Sequence, residues 1–260
     1  MHKLIILLLA IFIGCAKNIT TDPKLEEDKL HAFFRRVKLD LNNYGNIAIQ
    51  EDFIKFLGHF QYMDSGGKRY YLLERENITR MVESVTQQIY SDYILINNRG
   101  NVVYSRSNNY IFANNIGQRV SDTLFLTNLL NNNFRYYIAG PLRIEGSPSK
   151  RVILVCKRIS GAETFPGFAI LQIDLDKINS LLEENEFILN TNGMCLFANK
   201  TQYVDKAYRY FSHLEIDNLQ PSEHNIVQIN KNLSLIYGMF SMENINWVVV
   251  KEIRNYGNSI

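Results

Sequence analysis

Cysteine is scarce in this chain, and the three present, Cys15, Cys156 and Cys195, are too few for a disulfide framework. Neither sign of charge dominates: 28 Lys and Arg stand against 26 Asp and Glu, for a formal net charge of +2. Such a balance gives no basic field to attract nucleic acid. Histidine is sparse, and His2, His31, His59, His213 and His224 are scattered outside any metal-ligand spacing. No Gly-x-Ser-x-Gly elbow, phosphate loop or Gly-x-Gly-x-x-Gly occurs, so the chain reads as a non-enzyme with no cofactor. One apolar run stands out, Leu4 to Ile13, and it is shorter than the roughly 20 residues a spanning helix needs. The rest is ordinary globular composition. At 46% hydrophobic, 21% charged and 12% aromatic over 260 residues, it suits one large domain or two small ones.

The start of the chain has the layout of a secretory leader: Met1-His2-Lys3, the apolar run, then Ile13-Gly14-Cys15. Phe12 to Cys15 resembles the lipobox of bacterial lipoproteins, with Phe12 where Leu is usual. That resemblance implies a signal peptide over residues 1–14 and a lipid on Cys15 as the membrane partner. The expected location is the cell envelope outside the cytoplasm, periplasmic or surface-exposed. The alternative is a plain secretory signal with an incidental cysteine. Residues 15–22 are small or polar and read as a tether.

A helical region is expected over residues 23–92. Asp22-Pro23 with Glu26 and Glu27 is a helix start. Leu30, Phe33, Phe34, Val37, Leu41 and Tyr44 then form one helical face, ending near Gly45. A second amphipathic stretch runs from about Glu51 with Phe53, Leu57 and Phe60, and Asp64-Ser65-Gly66-Gly67 breaks it. A third helix carries Ile78, Met81, Val82, Val85 and Ile89.

The period then changes from helical to extended. Tyr93–Ile96, an Asn97–Asn101 turn and Val102–Tyr104 read as a β-hairpin. Phe187–Leu189, an Asn190–Gly193 turn and Cys195–Ala198 repeat it, the first turn counting one residue more. A late hairpin follows each copy: Arg151–Cys156 with Gly167–Ile173, and Leu233–Phe240 with Trp247–Val250. Two small antiparallel sheets in tandem are the expectation. Cys156 and Cys195, on strands of different sheets, are expected to be buried thiols.

Three segments resemble the double Cache domain, the tandem PAS-like sensor module of bacterial cell surfaces. They are "YILINNRGNVVYS" (Tyr93–Ser105), "GFAILQIDLDKINSLL" (Gly167–Leu182) and "INWVVVKEI" (Ile245–Ile253). The resemblance implies an α+β fold in which the N-terminal helical region precedes two tandem PAS-like antiparallel-sheet modules. The membrane-distal module is expected over residues 93–182 and a smaller membrane-proximal one over 183–260. Receptors of the family continue into a transmembrane helix and a cytoplasmic domain. This chain stops at Ile260 with no second apolar span, so its state is expected to pass to a partner protein.

Amino-acid-binding members carry an arginine and paired aromatics in the distal module. Asn133–Ala139 resembles that segment in part, with Arg135 directly before the pair and Tyr136 in place of Trp. The family's later aspartate has no counterpart, since Asp122 lies upstream and Asp174 and Asp176 belong to the closing motif. Arg119 and Arg135 are the candidate anchors, with Tyr104, Tyr136 and Tyr137 as candidate walls. A guanidinium can fork onto a carboxylate. On a strand, Arg135 and Tyr137 would share one face and Tyr136 the other. The candidate ligand residues are therefore Tyr104, Arg119, Arg135 and Tyr137, for a small anionic metabolite or an amino acid. The second reading is a structural or adhesive lipoprotein that works on an envelope or host protein.

Overall fold

The structure is a computed structural model that describes residues 24–48, 65–87, 89–97, 99–107, 120, 123–131, 135–144, 147–159, 167–217, 219–221 and 223–254. The leader, the tether, Cys15, Arg119 and the expected helix from Glu51 lie outside these residues. The expected α+β fold is the one observed. Helices α1 (Lys24–Ala48) and α2 (Ser65–Val85) lead into two five-stranded antiparallel sheets. The first sheet holds β1 (Asp92–Asn97), β2 (Val102–Ser105), β3 (Tyr136–Ile144), β4 (Ser147–Ile159) and β5 (Gly167–Asp174), with helix α3 (Thr123–Asn131) between β2 and β3. A short helix, α4 (Leu175–Asn179), leads to the second sheet. Its strands are β6 (Glu186–Leu189), β7 (Cys195–Ala198), β8 (His224–Asn230), β9 (Leu233–Met242) and β10 (Ile245–Arg254).

The two sheets have the same strand order, β2-β1-β5-β4-β3 and β7-β6-β10-β9-β8. Their opening hairpins also match in detail. Asn97 Oδ1 accepts from the backbone N–H groups of Arg99 and Asn101, and Asn190 Oδ1 accepts from those of Asn192 and Met194. Gly100 and Gly193 both take φ +80°, a left-handed conformation that glycine adopts at least cost. The turns are therefore equal in length, which corrects the expected extra residue. Leu95 pairs Tyr104 and Ile188 pairs Phe197, so Leu95 corresponds to Ile188 and Tyr93 to Glu186. Lining up the two aromatics by sequence shifts the strands by one and pushes the difference into the turn.

Helix α1 forms because Leu30, Phe34, Val37, Leu41 and Tyr44 recur at three- and four-residue spacing, and all five are buried. It packs against both sheets. Phe34 meets Trp247 and Phe240 of the second sheet, while Tyr44 meets Tyr93 of the first edge-on at 6.0 Å. One apolar core thus runs along the helix and joins the modules. The helix passes Gly45 without ending, since that position is buried beside Lys157. Ser65-Gly66-Gly67 opens α2, where weak helix formers are tolerated because first-turn N–H groups lack intrahelical partners anyway; the stretch it was expected to break lies outside the described residues. The third apolar stretch is the C-terminal part of α2, and Ile89 lies beyond its end.

Side chains also join the modules directly. Asp205 pairs with Arg151 and with Arg143, the latter at 3.1 Å, while Lys38 ties α1 to Glu243 of the second module. Near the start of α1, Glu27 meets His224 of β8 at 3.3 Å, and burial holds the Glu27 carboxyl above its ordinary value. The β9–β10 ladder is unbroken from Ile245↔Met242 to Arg254↔Leu233.

Candidate ligand-binding site

Alternation along the strands gives the first sheet two faces. One face, with Tyr93, Leu95, Tyr104, Tyr136, Ile138 and Val155, packs on α1 and α2. The other, with Ile94, Ile96, Val102, Leu154, Cys156, Phe168 and Ile170, packs on Phe125, Leu126 and Leu129 of α3. The described floor of this second face is apolar, and Tyr137 stands half-buried on it, 6.3 Å from the Phe125 ring.

The candidate residues are not gathered in one place. Tyr104 is fully buried on the helix face, where its hydroxyl lies 2.8 Å from Thr79 Oγ1 and burial pushes it up to about 12. It stands across the sheet from Tyr137. Strand β3 begins at Tyr136, so Arg135 lies just before it and is exposed, its guanidinium 5.6 Å from the Tyr136 ring centre. Tyr136 is core on the α1 side, donating to Asn42 Oδ1 at 2.9 Å. Alternation thus separates Tyr136 from Tyr137 as expected, but Arg135 turns toward Tyr136.

A polar end of the α3-side face was not singled out from the sequence. Asp92 sits opposite Gln172, in step with Ile94 and Ile170 on that face. The Asp92 carboxylate accepts from the Ser105 and Ser107 hydroxyls at 2.7 Å each, and from the N–H groups of Tyr93, Arg106 and Ser107. Burial still outweighs those bonds and holds the carboxyl above its ordinary value. Gln172 is 2% exposed and donates to Ser91 Oγ at 2.9 Å, but its Oε1 has no hydrogen-bond partner among the described residues. A buried acceptor without a donor is costly unless something supplies one. The available signal was Asp92 directly before an apolar strand, with Ser105 and Ser107 closing its hairpin.

Cys156 and Cys195 are free, buried thiols. No group of His, Cys, Asp and Glu suited to a metal occurs among the described residues, and no described helix is long and apolar enough to cross a membrane.

No family model and no curated protein matches the sequence. Solved structures do match in fold. An extracellular ligand-binding receptor from Desulfohalobium retbaense aligns with TM-score 0.63 and 10% identity, over 88% of this chain and 39% of that one. The ligand-binding domain of a Pseudomonas aeruginosa amino-acid chemoreceptor, in complex with GABA, aligns with TM-score 0.60 and 14% identity, over 88% and 95%. The sensory domain of a Campylobacter jejuni chemoreceptor with isoleucine bound aligns with TM-score 0.58 and 11% identity, over 95% of each chain. The fold is that of Cache-type, tandem PAS-like sensor domains.

Proposed function

We propose that this chain is an extracytoplasmic ligand-binding protein, held to a membrane by a lipid on Cys15, that acts through a partner protein. Its ligand is a small polar metabolite, an amino acid first. The observation that carries the reading is the shared fold with solved sensor domains that hold GABA and isoleucine, along nearly the whole chain. The ligand would sit on the α3-side face of the first module, between the apolar floor with Tyr137 and the polar end with Gln172. Arg119 and Arg135 are the cations to test as anchors of its carboxylate. The run Leu4–Ile13 ending at Cys15 supports the anchor.

A second reading has its own support. The described part of that face is filled by apolar side chains of α3, and its buried carboxylate is already saturated by five donors. A structural or adhesive lipoprotein needs nothing more. Thermal-shift screening of the chain with amino acids and organic acids separates the two. The binding reading expects at least one compound to raise the melting temperature, with the shift reduced in Gln172→Leu and Tyr137→Ala. No shift with any compound favours the structural reading. The anchor has its own test, in which Cys15→Ser moves the protein from the lipid to the aqueous fraction.

A further inference from the structure

We propose that the second module carries a separate binding site, for small di- or tricarboxylate anions. Strands β6, β7 and β10 and the segment after β7 enclose a cleft of about 640 Å³. That volume suits a small molecule. The cleft lies on the face that corresponds to the α3-side face of the first module, since Phe187 and Cys195 take the places of Ile94 and Val102. In the first module a helix fills that face. In the second, Tyr208, Leu214 and Leu219 cover part of that face, and the segment from Lys200 to Arg209 leaves the cleft over the rest.

The charges around the cleft do not balance. Its lining carries five cationic side chains and three carboxylates, with a fourth carboxylate, Glu186, buried just behind it. Lys251 is buried and satisfied by Glu186 at 3.0 Å and Glu183 at 3.1 Å. Arg209 reaches Glu252, which also accepts from the Tyr208 hydroxyl at 3.1 Å. Lys200 meets Glu184. Lys206 and Arg254 are left, and neither side chain has a partner among the described residues. Two unmatched cations call for two anionic groups on one molecule. The body of that molecule would lie on Phe187 and Tyr203, whose rings meet edge-on at 5.5 Å; Tyr203 is 41% exposed. The polar floor of Lys251 and Glu252, with Glu186 buried behind Lys251, disfavours a purely apolar ligand.

Isothermal titration of the whole chain in detergent, with succinate, citrate, acetate and sulfate at constant ionic strength, tests the site. Saturable binding of succinate or citrate is expected, at least about tenfold tighter than acetate or sulfate. The double variant Lys206→Gln/Arg254→Gln should lose about tenfold or more of that affinity with an unchanged melting temperature, because both side chains are exposed. Amino-acid binding to the first module is expected to persist in the double variant, so failure of one site is read separately from failure of the other. Absence of saturable heat with both polycarboxylates overturns the proposal. So does equal affinity for acetate or sulfate, or wild-type affinity in the double variant.

Discussion

The side-chain amide of Asn244 closes two hydrogen bonds on the backbone of Ile138, accepting from its N–H at 2.7 Å and donating to its carbonyl at 2.8 Å. Ile138 lies on β3, the edge of the first sheet, and Asn244 lies in the turn between β9 and β10 of the second. One side chain therefore does for that edge what a sixth strand would do. Asn244→Ala should cost about 1–3 kcal/mol in chemical denaturation, because both backbone groups lose a partner together. Asn244→Asp keeps the acceptor and loses the donor, so an intermediate loss is expected. A cost near zero in both variants would show that water replaces the amide.

Asp92 is expected to be the most sensitive polar position of the first module. Asp92→Ala strands the donors of Tyr93, Ser105, Arg106 and Ser107 and should cost roughly 2–4 kcal/mol. Its pH signature has a definite sign. Burial holds the native carboxyl above its ordinary value, so the native state binds the proton more tightly than the unfolded chain does. The Asp92 contribution is then largest in acid and declines as pH rises from below the ordinary value through the native one. Denaturation of wild type and Asp92→Asn across that range should show the wild-type advantage shrinking as pH increases.

The two matching turns offer an internal comparison. At Gly100 an added methyl would stand 2.6 Å from Leu126 Cδ2, and at Gly193 it would press into the ring of Phe211. Both positions also need positive φ. Each change to Ala should cost more than about 1 kcal/mol. Gly193→Ala should cost more than Gly100→Ala, because a ring face yields less than the tip of a leucine. Melting temperatures of the two variants in parallel decide the order.

Thiol chemistry should be silent in the folded protein. Burial raises the Cys156 thiol well above its ordinary value and pushes Cys195 up to about 12. Little thiolate exists near about pH 8 under those conditions, and Cys156 and Cys195 are only 0% and 2% exposed. Titration with a thiol reagent should find neither residue in native protein and both after unfolding. Rapid native labelling of either would contradict the packing of its sheet.

Helix α1, the C-terminal part of α2 and both opening hairpins were legible because their signals are local. Leu30 to Tyr44 repeat at the helical period, and each Asn-rich turn carries its glycine. Strand β8 was not expected. Its burial does not follow apolar character, and Ile226 is 72% exposed at the sheet edge. Helix α3 is short, and only its packing on Ile94 and Phe168 defines it. The candidate site fared worse for a related reason. Alternation correctly parted Tyr136 from Tyr137, but the face of Tyr104 depends on the shifted register between Leu95 and Ile96, which no local pattern records. Gln172 was invisible because an unpaired acceptor is a property of its surroundings, not of its sequence.

The uninterrupted pairing of β9 with β10 has a mechanical consequence. A ladder without a bulge has no built-in point at which to bend. At one end of it Asn244 grips the rim of the first sheet, and about 34 Å along β10 its other end forms part of the charged cleft through Glu252 and Arg254. The hairpin thus runs as one unbroken ladder from the rim of the first sheet, held by Asn244, to the cleft lined by Glu252 and Arg254.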